Sequence, residues 1–477
     1  MNLRFDPGHI DSFKEEIKHI PGYPIGEELP IREMVFESGA IFRLPELLKI
    51  AGAKRENPVL VVMDRTPMRR GMTSLKPLII EILQKADWNP YPIWLENHLS
   101  GQVHTDQHQI ETVKNLLNPN VSVVSVGSGV VTDITKHACY LFELDNQVSL
   151  PLVFYQTANS VSAYTSNMAP VFVDGVKRTL PSRYPDVLVC DLETLCDAPK
   201  EMTVAGVGDL LAACNSYADW YLAFRLGMDS TYTEFPQILM GPLDRIFEAN
   251  AMEIRDTTLK GMEVLAKLIS LAGIAMSLSH ATAPLSGFEH VISHVLDLLA
   301  EQSHQPLTQH GSQVALATLL STSSYQKFLT EFEPDEVNPA ACFPTKSQMK
   351  KQVEAAFYTI DPSGKVAAEC WSDYEQKLSK WHANRSVFEE FLCEWTEIRT
   401  ELERLTRPAE AVLKVLQAVG APLRFGDLTP SLHMERVEFA YLHAPLIRKR
   451  LTLGDLFIFL NWDREKLWEF VKSYVDK

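Results

Sequence analysis

The sequence predicts an α/β domain built on a mostly parallel sheet, followed by an all-helical domain. Three observations predict it. Short β-branched runs alternate with helix-length segments from about residue 57 to 192, and strand-like runs almost vanish after Pro199. Beyond that point apolar residues recur at helical spacing. The expected domains are residues 1–198 and 199–477.

Val59–Met63 reads as a buried strand and Leu75–Ala86 as the helix after it. Tyr91–Leu95 with Gln107–Leu117, and Val121–Val126 with Val130–Phe142, repeat the unit. Leu152–Tyr155 is a further strand, and Val187–Cys190 closes the sheet. Between these two, Pro170–Leu180 carries Asp-Gly between alternating runs, which signals a hairpin. Strands joined through crossover helices pair in parallel. In the second half Asp209–Leu226, Leu259–Leu278, His290–Glu301, Gln313–Leu319 and Val387–Leu405 have the helical period. The proline-bearing stretch Glu331–Gly364 is expected to be a loop or peripheral insertion. Ligands of such two-part proteins bind facing the carboxyl ends of the strands.

Composition narrows the partners. With a net charge of −16, the 477-residue chain lacks the basic footprint that nucleic acid demands. No stretch approaches the roughly 18 consecutive apolar residues of a membrane span. The first residues carry acids where a secretory signal has an apolar core. Seven scattered cysteines without a CxxC pair fit reduced thiols. The expectation is a cytoplasmic protein with a small-molecule ligand, engaging neither nucleic acid nor membrane.

Several segments carry candidate chemistry. VSVVSVGSGVVTDITK (Val121–Lys136) runs a strand into Gly127-Ser128-Gly129 and then into a helix bearing Asp133 and Lys136. Glycines at such a junction let backbone N–H groups approach an anion at the helix N-terminus. A tight strand-to-helix turn explains the same residues. Asp64, ending the first strand, is placed to accept ribose hydroxyls or to cap a loop. TANSVSAYTS (Thr157–Ser166) is dense in hydroxyls, as a phosphate- or ribose-binding loop is, and as a polar turn is.

The strongest constellation lies in the helical half. Asp209 follows two glycines in AGVGDLL at an apparent helix start, where a carboxylate also satisfies free N–H groups. SGFEHVISH spaces His290 and His294 four residues apart, on one helix face. QHGSQV places His310 at another helix start. One carboxylate with two imidazoles is the donor set of a catalytic divalent metal. The basic trio Arg448, Lys449 and Arg450 reads as a solvated face or a subunit contact, with phosphate binding as the alternative.

Taken together, VGSGVVTDITK, DVLVCDLETLCDAPKEM, AGVGDLLAACNSYADW, SGFEHVISH and QHGSQVALATLL resemble the sn-glycerol-1-phosphate dehydrogenases. These belong to the iron-containing alcohol dehydrogenase and dehydroquinate synthase superfamily. The similarity runs from about Val59 to Leu320 and returns weakly at HAPLIRKRLTLGDL. It implies a dehydroquinate synthase-like fold, with an α/β nucleotide-binding domain and a helical metal-binding domain. It implies NAD or NADP, and one divalent metal (zinc, nickel or iron) held by Asp209, His290 and His310. By the same resemblance His294 contacts substrate or relays a proton. Gly127, Ser128 and Gly129 would face the pyrophosphate, with Asp133 and Lys136 on the helix behind. Thr157, Ser160, Ser166 and Met168 would line the cofactor, and Asp64 would meet the adenosine ribose. The implied reaction reduces dihydroxyacetone phosphate to sn-glycerol 1-phosphate, in a homo-oligomer.

Two positions depart from the family pattern. Ser162-Ala163 stands where the family keeps Asp-Gly close to substrate and nicotinamide, so Ser162 joins His294 as an expected catalytic position. Ala283 stands where an anion-binding Arg is common. Both changes point to a modified substrate. They also leave two further readings of the same fold: a carbon–oxygen lyase or cyclase using NAD transiently, and a non-catalytic nucleotide-binding relative.

Overall fold

The computed structural model describes residues 3–98, 101–173 and 176–476. Besides a two-residue ladder of Arg69–Arg70 with Thr73–Ser74, its strands are β1 (Glu33–Glu37), β2 (Pro58–Met63), β3 (Asn89–Trp94), β4 (Ser122–Gly127), β5 (Leu152–Gln156), β6 (Met168–Val173), β7 (Val176–Pro181) and β8 (Val187–Asp191). Six of them form one sheet in the order β1-β8-β5-β4-β2-β3. Every pairing in it is parallel. The central strands read as continuous apolar runs because helices cover both faces, and all of β4, β5 and β8 is buried. Helices α1 (Leu75–Lys85), α2 (Gln107–Lys114) and α3 (Gly129–Asn146) make the crossovers. β6 and β7 form a separate two-stranded sheet; the Asp-Gly turn expected between them lies outside the described residues.

Strand β1 was not among the expected strands. EMVFE is short and begins and ends on glutamates, yet its Met34 and Val35 are buried where it pairs with β8. At the other margin β3 carries Pro90 and Pro92, alternate residues of a strand paired on one side only, to β2. After β3 the chain crosses back over β2 to build β4. The topological switch therefore falls between β2 and β4, and the residues just past their carboxyl ends are Asp64 and Ser128-Gly129.

Contacts divide the chain into two units, and not at residue 198. The first comprises residues up to Val173, Lys177–Leu210 and Glu234–Ser279; the second comprises Leu211–Thr233 and His280 onward. Helix α4 (Lys200–Leu211) thus lies, but for its last residue, with the sheet, and so does α5 (Leu259–Leu278). The reason is visible along α5. Thr165 donates to the Ser270 carbonyl (2.7 Å), Asn159 to the Met262 carbonyl (3.1 Å), and the Asn167 N–H to the Ser277 hydroxyl (2.9 Å). Among the described residues α5 is the one helix long and apolar enough to cross a membrane, and 83% of its most apolar window is buried inside the protein.

The second unit is helical around α6 (Phe288–Gln302), α7 (His310–Glu331), α8 (Lys365–Ala383) and α9 (Leu453–Phe459). Buried aromatic rings hold it, with Trp381 stacked on Phe459 at 4.5 Å between centroids. The stretch Glu331–Gly364 is not all loop. It contains the helix Lys346–Phe357, started by a Thr345/Gln348 capping box and packed through Met349, Val353, Ala356 and Phe357. Val387–Leu405 is two helices, Arg385–Cys393 and Trp395–Leu405.

Helix α4 approaches the segment after β5 so closely that a Cβ on Gly206 would lie 2.0 Å from the Asn159 carbonyl oxygen. Gly206→Ala is therefore expected to cost about 1–3 kcal/mol, read as a lower midpoint in urea unfolding.

Candidate functional site

In the first unit the structure gathers the expected cofactor residues around the ends of β2, β4 and β5. Ser128 starts α3 without a side-chain capping bond, so the first N–H groups of an 18-residue helix open beyond the strand. A Cβ on Gly127 would lie 2.4 Å from Val131, and one on Gly129 2.4 Å from Val161. Glycine is thus required at both positions by protein packing alone. Thr157 is buried at the end of β5, and its N–H donates to the Gly127 carbonyl (3.2 Å). Its hydroxyl has no hydrogen-bond partner among the described residues. A buried, unmatched hydroxyl beside a helix N-terminus suits a polyhydroxylated anionic cofactor. Asp64 is already engaged: Lys76 reaches it at 2.6 Å and the Thr66 hydroxyl at 2.5 Å.

Asp133 and Lys136 lie on the helix behind the glycines and spend their polar atoms on the protein. Both are buried; they pair at 2.8 Å, and Lys136 also donates to the carbonyls of Ala163 (2.9 Å), Ser166 (3.2 Å) and Met168 (2.7 Å). An ammonium has three hydrogens, and these acceptors account for them. The pair is a strut that fixes the hydroxyl-rich segment from behind. Burial raises the Asp133 carboxyl above its usual range against the pull of Lys136. Within the segment the Ser166 hydroxyl accepts from the Met168 N–H (3.2 Å), and Ser160 is buried. Ser162 donates to Asp209 Oδ2 through its N–H (3.2 Å) and its hydroxyl (3.3 Å). Asp209 lies near the end of α4 rather than at a helix start.

The second unit holds three histidines. His290 sits in the first turn of α6, His294 one turn later, and His310 is the first residue of α7. The His290 and His310 rings lie 5.2 Å apart, and His294 stacks on His310 at 5.7 Å. Hydrogen-bond polarity assigns the ring nitrogens. His290 Nδ1 is 2.9 Å from Glu289 Oε1, a carboxylate, so Nδ1 carries the proton and Nε2 the lone pair. Ser293 donates its hydroxyl to Gln313 Oε1 (2.7 Å), so it accepts from His310 Nδ1 at 3.0 Å. His310 Nε2 is then a lone pair too. Orientation of imidazoles by a carboxylate and a hydroxyl behind them is the arrangement metal-ligating histidines require. Sequence reading missed Glu289, Ser293 and Gln313, although each lies inside the motifs it singled out.

Glu289 is fully buried. Burial pushes its carboxyl up, but hydrogen bonds from His290, the Gly287 N–H and the Asn215 amide leave it below its ordinary value. Its neighbour Asp219 is driven the other way. Burial and the Glu289 charge push Asp219 up to about 7, against donors from Tyr325 (2.7 Å) and the Leu453 (2.8 Å) and Phe288 (2.6 Å) N–H groups.

Comparison with known proteins fits this geometry. The model of the family described as iron-containing alcohol dehydrogenase matches residues 35–199. The glycerol-1-phosphate dehydrogenase [NAD(P)+] of Bacillus subtilis is 30% identical over 271 residues, which are 57% of this chain and 65% of the relative. Its counterpart in Bacillus velezensis is 26% identical over 68% of this chain and 77% of its own length. Among solved structures, the glycerol dehydrogenase of Schizosaccharomyces pombe superposes with a TM-score of 0.54 at 12% identity, covering 93% of this chain and 90% of that one. The NAD+ complex of sulfoacetaldehyde reductase from Bifidobacterium kashiwanohense gives 0.55 at 12%, covering 93% and 98%. Over residues 35–199 the chain is similar to iron-containing alcohol dehydrogenases, and over a longer stretch to NAD(P)-linked glycerol-1-phosphate dehydrogenases.

The raised Asp219 carboxyl sets a sign for stability. The native state binds this proton more tightly than the unfolded chain, so its contribution is full below about pH 4 and is lost as pH rises toward 7. Thermal melts across that window should show wild-type stability falling by an amount on the order of a few kcal/mol. In Asp219→Asn that slope should flatten.

Proposed function

We propose that the protein is a metal-dependent, NAD(P)-linked oxidoreductase that moves a hydride between nicotinamide and a small ketone or polyol. The observation that carries this reading is the matched polarity of His290 and His310. Both rings commit their Nδ1 hydrogens to protein acceptors, which leaves the Nε2 lone pairs as potential ligands. Asp209 is proposed as the third ligand, on the strength of its place in the family motif. A carboxylate with two imidazoles suits zinc, iron or nickel.

When bound, such a metal supplies Lewis acidity at the substrate oxygen, and the nicotinamide carries the hydride. The chain's residues do the positioning. Ser128 and the α3 N-terminus would hold the pyrophosphate, and the Thr157 hydroxyl would offer the cofactor a hydrogen bond beside them. The Asp133–Lys136 strut keeps Ser160, Ser162 and Ser166 in place. Ser162 acts on Asp209 rather than on substrate, because its N–H and its hydroxyl both point to that carboxylate. The family's extra acid is thereby replaced by a neutral group, which favours a substrate other than dihydroxyacetone phosphate.

Metal analysis paired with a ketone and polyol panel, followed at the nicotinamide absorbance, tests this. Turnover that consumes NAD(P)H or produces it is expected. His310→Ala should lose the metal and at least about 100-fold in kcat/KM. A metal-loaded chain that turns over nothing in the panel, or that keeps its NAD bound and unconsumed, would overturn the proposal.

A further inference from the structure

Three histidines share one site, but a metal with a carboxylate ligand and an open position needs only two of them. We propose that Arg448 is a positioning residue that holds His294 in its Nε2–H tautomer. This makes the ring a hydrogen-bond donor and keeps it from ligating.

The argument starts from one contact. Arg448 Nη2 lies 2.9 Å from His294 Nδ1. A guanidinium has donors only and stays charged. His294 Nδ1 must therefore accept, and the proton of the neutral ring sits on Nε2. This is the reverse of His290 and His310, whose Nδ1 atoms donate to Glu289 and Ser293. A protonated Nε2 has no lone pair for a metal, but it can donate to a substrate oxygen. The three rings, 5.2 to 6.3 Å apart, thus divide into two ligands and one donor by what stands behind each of them.

Arg448 is held where it can do this. It lies in an extended step after the 3-10 turn Ala444–Ile447. Lys377 of α8, without solvent exposure and paired to Asp455 of α9 at 2.5 Å, donates to the carbonyls of Pro445 and Arg450 on either side. The Arg450 guanidinium donates to the Ser286 carbonyl and the Thr282 hydroxyl, just before α6. Backbone pinned at both ends presents Arg448 to α6. Of the basic trio, Arg448 meets His294 and Arg450 ties to the residues before α6, while Lys449 is exposed. What the Nε2–H meets rests on the metal reading above; the tautomer itself does not.

Selective 15N labelling of histidine in the metal-free, full-length chain reads the tautomer from the two ring-nitrogen shifts, and His294→Gln assigns the signal. At mildly alkaline pH the wild type should show a protonated Nε2 and an unprotonated Nδ1. Arg448→Lys, still a donor, should keep that pattern. Arg448→Glu offers an acceptor and should move the proton to Nδ1. A wild-type ring protonated on Nδ1, or on both nitrogens, overturns the proposal. So does an unchanged ring in an Arg448→Glu chain that melts like the wild type. If Arg448→Glu does not fold, the wild-type and Arg448→Lys spectra decide alone, a protonated Nδ1 in either counting against. The spectra need neither metal nor substrate, so their outcome is independent of the substrate panel.

Discussion

The location of a single hydrogen on each imidazole governs what the second unit can do. Glu289 and the Ser293–Gln313 relay draw the Nδ1 hydrogens of His290 and His310 backward, away from any ligand. Both supporting groups are buried, so solvent does not compete for them. A buried carboxylate without partners is costly, and Glu289 avoids that cost through His290, Asn215 and the Gly287 N–H. Burial and the Glu289 charge raise the Asp219 carboxyl, so that of these two neighbouring acids Asp219 is the one that holds a proton more readily.

The first unit solves a different problem, that of keeping a polar loop rigid. Hydroxyl-rich segments favour alternative local hydrogen bonds, and the stretch from Thr157 to Ser166 has many. Lys136 removes the ambiguity by taking the carbonyls of Ala163 and Ser166 within it and of Met168 just beyond, while α5 takes Asn159, Thr165 and the adjoining Asn167. A lysine with no exposure is costly unless it is fully paired, and Asp133 supplies the charge. The hydroxyls proposed to meet the cofactor are thus held in place by a buried charged pair that serves as scaffold.

How much of this was legible depended on the range of the interaction. β2, β4, β5 and β8 were readable because strands buried on both faces must be apolar throughout. β1 was not, since its five residues gain their burial from β8, more than 150 positions away. The helix Lys346–Phe357 hid behind the prolines around it, although Met349, Val353 and Phe357 keep the helical period. The division of the chain by contacts was not readable because periodicity shows that α4 and α5 are helices and says nothing of which core they join. The histidine spacings stood out as motifs, whereas the role of Glu289 needed its side-chain direction. Arg448 lies 154 residues from His294, and no local pattern could connect them.

The margin of the sheet at β3 has a meaning for the molecule's behaviour in a crowded solution. Pro90 and Pro92 are alternate residues, so the two missing N–H groups fall on the same side of the strand. A foreign strand arriving at that margin would find part of the ladder without donors. Growth of the sheet there is hindered by covalent structure. That protection persists in a partly unfolded chain, where covering elements would already have been lost.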